Sequence, residues 1–400
     1  MKDTELVNPI SSIVYLTSDF AAPIIEEENF GEDLEKYIED KDKIIGGLRQ
    51  KIIDFANSYG IHAQTVFVFF DVGFSAPLTP SQISSLENDS SVDHIEDDME
   101  IQGRPIMQGR PIMQGDISSN PVFYIPNERT CRAVTLVGGP IPVNHRNRDK
   151  KIWVVDSGLD SNHHDLNVDM SLSFSFVIEN GEQDPNVDHN GHGTHCAGIA
   201  SGKAVDGNYF GMNGVSSGAK LVSYKVLNKC GEGKFSYLKN ALEYLRIFGK
   251  NREVAMICLG ANSRELSLDH NNPISRLILH LTLFNKMFVV MSAGNSFGDA
   301  NINFPGSFSY PTRAVTIASV DYNWDYITGF SPYSNYGTCA RWAAPGTTVF
   351  STFPGNRYEV MSGTSMAAAL VAGIIHARGG LPVSDEYITY MGLDYKIAKV

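Results

Sequence analysis

Residues 151–158 read Lys151-Ile152-Trp153-Val154-Val155-Asp156-Ser157-Gly158, an apolar run that stops abruptly at an acid, a hydroxyl and a glycine. Four successive β-branched or aromatic residues suit a strand buried on both faces, because a strand with one wet face would alternate polar and apolar. Comparable runs recur at Leu221–Leu227, Val254–Leu259, Phe288–Ala293 and Ala314–Val320, while Phe235–Phe248, Pro273–Phe284 and Met366–Arg378 carry helical patterns. Strands that alternate with helices predict an α/β domain, a parallel sheet flanked by helices. Sheets of that kind hold their chemistry at the carboxyl ends of the strands, where Asp156 falls. On its own, an Asp there is equally a turn residue or a helix cap.

Toward the N-terminus the pattern changes. Ser12–Ser18 predicts a strand, and Glu32–Tyr59 predicts a helix, with Leu34, Ile38, Ile45, Leu48, Ile52 and Phe55 at helical spacing before Gly60. Gln64–Phe70 and Phe74–Leu78 predict two strands about a turn at Asp71-Val72-Gly73. Thr79-Pro80-Ser81-Gln82 combines a capping Thr, a Pro at the first helical position and a Gln placed for a capping box, which starts a helix to Asn88. Val92–Met99 then closes the sheet. The order βαββαβ predicts a small α+β, ferredoxin-like domain over residues 1–101. Next comes Gln102-Gly103-Arg104-Pro105-Ile106-Met107, repeated at once as Gln108–Met113 and followed by Gln114-Gly115. Gly and Pro in each copy disfavour regular elements, so residues 102–115 are expected to form an extended linker ahead of a domain of residues 116–400.

Composition narrows the function classes. With 42% hydrophobic residues in 400, the chain can bury a large core and still support a second, smaller domain. Its formal charge of −13 is one-sided: residues 1–115 hold 21 of the 45 Asp/Glu but 8 of the 32 Lys/Arg, leaving 24 of each for residues 116–400. No basic cluster offers a surface to phosphates, which argues against nucleic acid as a partner, and nothing calls for a membrane. The first apolar stretch, Ile13-Val14-Tyr15-Leu16, is too short for an export signal or a membrane span, so neither is expected in the chain as written. Cysteines at 131, 196, 230, 258 and 339 make no CxxC pair, and their odd number leaves at least one thiol free.

Two further segments carry candidate chemistry. In Ser362-Gly363-Thr364-Ser365-Met366-Ala367-Ala368-Ala369, a glycine turn leads into an alanine-rich helix, so Ser365 falls in the first turn, where free N–H groups and the helix dipole favour negative charge. It is a candidate nucleophile, although a capped core helix explains the same residues. His192 opens His192-Gly193-Thr194-His195-Cys196-Ala197-Gly198. Two histidines three apart near an acid can suggest a metal, but the HExxH zinc helix needs i, i+4 spacing and a Glu base, and both are missing. Acid–base work fits better: a Ser hydroxyl needs an imidazole to take its proton, and the imidazole needs a carboxylate to fix its tautomer. Nucleotide chemistry is not indicated, since no strand leads into GxGxxG or a P-loop lysine.

Taken in order, Val154–Gly158, Asn190–Gly198, Ser292-Ala293-Gly294-Asn295 and Ser362–Ala368 resemble the subtilisin-like serine proteases over about residues 150–376. Cys196, directly after the His-Gly-Thr-His run, is similar to the proteinase K branch, and the chain order Asp, His, Ser is that of subtilisin. Gly73–Asp98 resembles the family's inhibitory prodomain. The resemblance implies a serine endopeptidase made as a zymogen: Asp156 orients His192, His192 is general base and then acid, Ser365 attacks, and Asn295 donates to the oxyanion. It further implies that an extended protein or peptide substrate adds as a strand between Gly231-Glu232-Gly233 and Cys258-Leu259-Gly260-Ala261. Residues 1–101 would then be an intramolecular inhibitor, and the enzyme a monomer with no cofactor. The alternative is a non-catalytic, peptide-binding relative of the same fold. Departures lie beside the site. Ala369-Leu370 stand where the family usually has Pro-His, Cys258 replaces its usual Ser, and the closing helix and strand are reduced to Ser384–Val400. Asp165 matches a family calcium ligand, the one opening for a metal, but the loop that should complete that site, Lys203–Asn213, is rebuilt.

Overall fold

A computed structural model describes residues 9–21, 34–68, 71–103, 105, 107–108, 124–205, 211–268, 272–309 and 313–400. Most of the second linker repeat, Phe69-Phe70 and the middle of the Lys203–Asn213 loop lie outside the described residues. The chain divides into two compact units, Met1–Met99 with Lys234–Glu243, and Glu100–Gly233 with Tyr244–Val400. No helix among the described residues is long and apolar enough to cross a membrane.

In the first unit, strands β1 (Ile10–Leu16), β2 (Thr65–Val68), β3 (Val72–Leu78) and β4 (Val92–Asp97) lie in the order β2-β3-β1-β4, with every neighbouring pair antiparallel. Helices α1 (Leu34–Ser58) and α2 (Pro80–Glu87) supply Leu48, Ile52 and Leu86 to a core completed by Val14, Phe74 and Leu78. Thr79 caps α2: its Oγ1 accepts from Gln82 N at 3.3 Å, and Gln82 Oε1 accepts from Thr79 N at 2.9 Å, the reciprocal pair that the sequence pattern predicts. Of the turn expected at Asp71-Val72-Gly73, Asp71 is a bend and the other two residues are in strand. Val72 pairs with Val68, and Gly73 with both Phe67 and Tyr15, so ladder hydrogen bonds on two sides draw these residues into β3.

The second unit is built on a long sheet. Along it run Phe174–Ser175, β6 (Lys220–Lys225), β5 (Lys151–Asp156), β7 (Val254–Ile257), β8 (Phe288–Ser292), β9 (Ala314–Tyr322), β10 (Ala340–Pro345) and Leu393–Ile397, each parallel to the next. Tyr387–Tyr390 closes the far edge antiparallel to Leu393–Ile397, so the short C-terminal segment extends the sheet instead of ending in a helix. β6 and β7 end earlier than their apolar runs, because Val226-Leu227 and Cys258-Leu259 leave the ladder for the loops beyond it. A hairpin of β11 (Val349–Phe353) and β12 (Arg357–Ser362) was not legible in the apolar pattern, since Ser351, Thr352 and Glu359 interrupt it.

Two helices carry the candidate residues, α3 (His192–Ser201) and α4 (Thr364–Arg378). Both are buried along almost their whole length and made largely of small residues, which lets their backbones come close. Gly373 sets the approach: a Cβ there would stand 2.6 Å from the Ala200 carbonyl and 2.7 Å from Val215 Cβ. Gly373→Ala is therefore expected to lose about 1–3 kcal/mol of stability by overpacking. It should also lower activity by prising α4 from α3, and an unchanged denaturation midpoint would show that the two helices are not so tightly seated.

Candidate active site

From β5 the chain goes first to β6 on one side and later to β7 on the other, so a crevice opens beyond the carboxyl end of β5. Asp156, the last residue of β5, is buried there. His192, the first residue of α3, has no exposure, and its Nδ1 lies 2.8 Å and 2.9 Å from the two carboxylate oxygens of Asp156. With that N–H directed at the carboxylate, the lone pair is left on Nε2, the arrangement a general base needs. Burial alone would lower the basicity of His192. The charge and hydrogen bond of Asp156, joined by the charge of Asp188, outweigh it and hold the imidazole above its ordinary 6.5.

His195 has a different fate. Its Nε2 meets the Glu359 carbonyl at 3.1 Å, and complete burial drives its pKa down to about 3, which keeps it neutral. Spacing left the two histidines comparable, whereas only His192 faces a carboxylate. Cys196 lies 3.9 Å from His192 Nε2, and burial, reinforced by the Cys258 thiol beside it, holds its own thiol well above the ordinary range. Asp156, His192 and Cys196 are close enough to share an ion. Nδ1 is already committed to the carboxylate, however, and the thiol is protonated, so this set favours proton transfer.

Ser365 sits in the first turn of α4, which begins two residues before the predicted Met366, and its hydroxyl donates to the Cys258 carbonyl at 3.3 Å. Its own N–H belongs to the group with no intrahelical acceptor. Asn295 Oδ1 accepts from Thr364 N at 2.8 Å and Oγ1 at 2.9 Å, which turns the amide nitrogen toward Gly363, two residues before Ser365. The two expected substrate segments flank a groove already occupied by Glu100–Gly103. Gln102 exchanges hydrogen bonds with Gly260 at 3.0 and 2.9 Å, and Gly103 N donates to the Gly231 carbonyl at 3.0 Å. Glu232–Lys234 pairs with Glu100–Gln102, Leu259 is buried beneath, and Ala261 turns away to pair with Phe304. Further on, Met107 and Gln108 pair with Ser362 and Met361 of β12, the strand that leads to Ser365.

A model of the subtilase family matches residues 147–377, more than half of the chain. The chain belongs to the subtilase family. This subtilase is 34% identical over 224 residues to thermitase of Thermoactinomyces vulgaris, covering 56% of its own length and 72% of the relative's. It is 33% identical to the thermophilic serine proteinase of Bacillus sp. (strain AK1), covering 56% of its own length and about half (51%) of that protein. With the M-protease of Shouchella clausii (strain KSM-K16) it shares 32% over 307 residues, 75% of this chain and 67% of that one.

Among the described residues, the surroundings of Asp165 do not fit calcium. Asp165 Oδ2 accepts from Met212 N at 2.7 Å and from the Tyr358 hydroxyl at 2.7 Å, and Oδ1 accepts from Val205 N at 3.2 Å. Calcium requires six to eight oxygen donors, and here the carboxylate faces hydrogen-bond donors. His163 and His164 beside it are likewise engaged, with the Arg357 carbonyl and the Tyr358 hydroxyl.

Several site residues carried no sequence signal. Lys225 is fully buried, 2.9 Å from Glu182, and donates to the Ser157 carbonyl just beyond Asp156. Nothing in an apolar strand marks its last Lys as half of a buried pair. As a general base His192 would work only when neutral, so kcat/KM should fall as pH drops through a value above 6.5. His192→Ala should remove that dependence together with nearly all turnover, and His195→Ala should keep it. An acid limb below 6.5, or equal losses in the two variants, would contradict the assignment of His192.

Proposed function

We propose that the chain is a serine endopeptidase that works through an acyl-enzyme and is made as a self-processing zymogen. The buried Asp156–His192 pair carries this reading, with Cys258 linking Ser365 to it: the Cys258 carbonyl accepts from Ser365 Oγ, and its thiol lies against Cys196, which lies against His192. Ser365 Oγ attacks the peptide carbonyl while His192 Nε2 takes its proton, and Asp156 stabilises the imidazolium. The oxyanion draws on Asn295 Nδ2 and the Ser365 N–H, His192 then protonates the leaving amine, and water reverses the sequence on the acyl-enzyme.

The strand Glu100–Gly103 supports a protein or peptide substrate bound by strand addition. Ile101 and Gly103 point inward and Gln102 outward, as period-two alternation requires. A Cβ on Gly103 would face Leu227 Cδ1, the Cys258 carbonyl and Leu259 Cβ, which gives that place an apolar side. In this reading residues 1–101 are the inhibitory, ferredoxin-like prodomain, and the processing bond falls between Gly103 and Met107. Neutral Cys196 beside the histidine supports the likeness to the proteinase K branch.

Expressed from its 43.9 kDa form, the wild type should mature by loss of residues up to the linker, while Ser365→Ala should stay uncut and lose about a millionfold in kcat. N-terminal sequencing of the mature species should find a terminus between Arg104 and Met107. A terminus beyond Val134, or full activity in the uncut chain, would contradict the prodomain reading. A folded wild type that binds peptides but hydrolyses none would favour the non-catalytic relative.

A further inference from the structure

One buried carboxylate beside the triad has no part in the reaction as written. Asp188 is 4% exposed, in the loop that leads into α3. Its Oδ1 accepts from Ser157 Oγ at 2.9 Å, Gly191 N at 2.8 Å and Asn190 N at 3.1 Å, and its Oδ2 from Thr194 N at 2.9 Å and Thr194 Oγ1 at 2.7 Å. Ser157 Oγ in turn accepts from Gly193 N at 3.0 Å. These donors bracket both partners: Ser157 follows Asp156 directly, and Gly191, Gly193 and Thr194 surround His192. Asp156 and His192 come from different elements, so their hydrogen bond depends on how β5 and α3 are registered, and the Asp188 carboxylate ties the two together.

We propose that Asp188 is a positioning residue of the peptidase, a second buried carboxylate that locks the Asp156-Ser157 turn to the start of α3 and so fixes the imidazole against Asp156. Five donors converge on its two oxygens, all from Ser157 and residues 190–194 and none from the reacting atoms. Its negative charge also favours the imidazolium that forms during attack. The other titratable groups that bear on His192 are Asp156 from β5, the Cys196 thiol on its own helix with the Cys258 thiol against it, and neutral His195. Among these Asp156 alone is a competing anion, so the share contributed by Asp188 can be read separately.

The inference rests on the peptidase reading, and two variants separate charge from geometry. Asp188→Asn should lower kcat about tenfold to a hundredfold with little change in KM, the scale on which an outer-shell partner or a small misplacement acts. It should also move the acid limb of kcat/KM to lower pH. Ser157→Ala, which cuts the tie but keeps the charge, should lower kcat without moving that limb. In the Ser365→Ala background, an NMR titration of the His192 ring should show the same downward shift for Asp188→Asn, a reading that survives even if the wild type proves inactive. Unchanged kinetics and titration in Asp188→Asn would overturn the proposal. Lost activity with an unmoved limb and ring titration would overturn it too, by showing a merely structural role. If Asp188→Asn fails to fold, Ser157→Ala decides: wild-type kcat there would overturn the proposal, and a reduced kcat at unchanged pH dependence would support it.

Discussion

The hydrogen bond between His192 Nδ1 and the Asp156 carboxylate, at 2.8 Å and without solvent, is the contact on which the rest of this structure depends. A carboxylate at the end of an apolar strand is costly unless donors surround it. Those donors are present: the imidazole itself and, at 2.7 Å, the Ser157 N–H. The surroundings are tied down in turn, by Asp188 on the hydroxyl of Ser157 and by the Lys225–Glu182 pair on its carbonyl. A buried ion pair is weak evidence for added stability, but breaking one strands a charge, so such pairs hold a geometry in place. Here the geometry held is that of the Asp156-Ser157 turn.

The sheet and the two buried helices follow from the same constraint. β5 must sit at the switch point for Asp156 to face a crevice, and α3 and α4 must pack closely enough for residues far apart in sequence to converge there. Gly373 allows this, because a Cβ there would meet the Ala200 carbonyl of α3 at 2.6 Å, and Gly198 lets the other side of α3 lie against Ser351 and Thr352 of β11. Asn295, held by Thr364, links the loop after β8 to the first turn of α4, so Asn295 and Ser365 are fixed relative to each other.

Much of this was legible in the sequence, for physical reasons. The continuous apolar strands Lys151–Val155 and Phe288–Ala293 can exist only with both faces covered, and the capping box at Thr79 is a purely local signal. His192 was named by its place in the family's motif and not by spacing, because the contacts that separate it from His195, with Asp156 on another strand and with the Glu359 carbonyl, are not local. Asp188, in Asp188-His189-Asn190, reads as an ordinary polar loop residue, because burial of a loop depends on what folds over it. At Asp165 the motif and the loop after it pointed different ways: the motif matches a calcium ligand, and the rebuilt loop brings the N–H groups of Val205 and Met212 to the carboxylate, with the Tyr358 hydroxyl beside them.

The central claim is that Ser365 is an activated nucleophile driven by His192. It is tested most directly by treating the native protein with a fluorophosphonate and mapping the adduct by mass spectrometry. One adduct per chain on Ser365 is expected, lost in His192→Ala and in the urea-unfolded wild type. No adduct in the mature, folded protein, or a label on Ser365 that persists unchanged in His192→Ala, would contradict it.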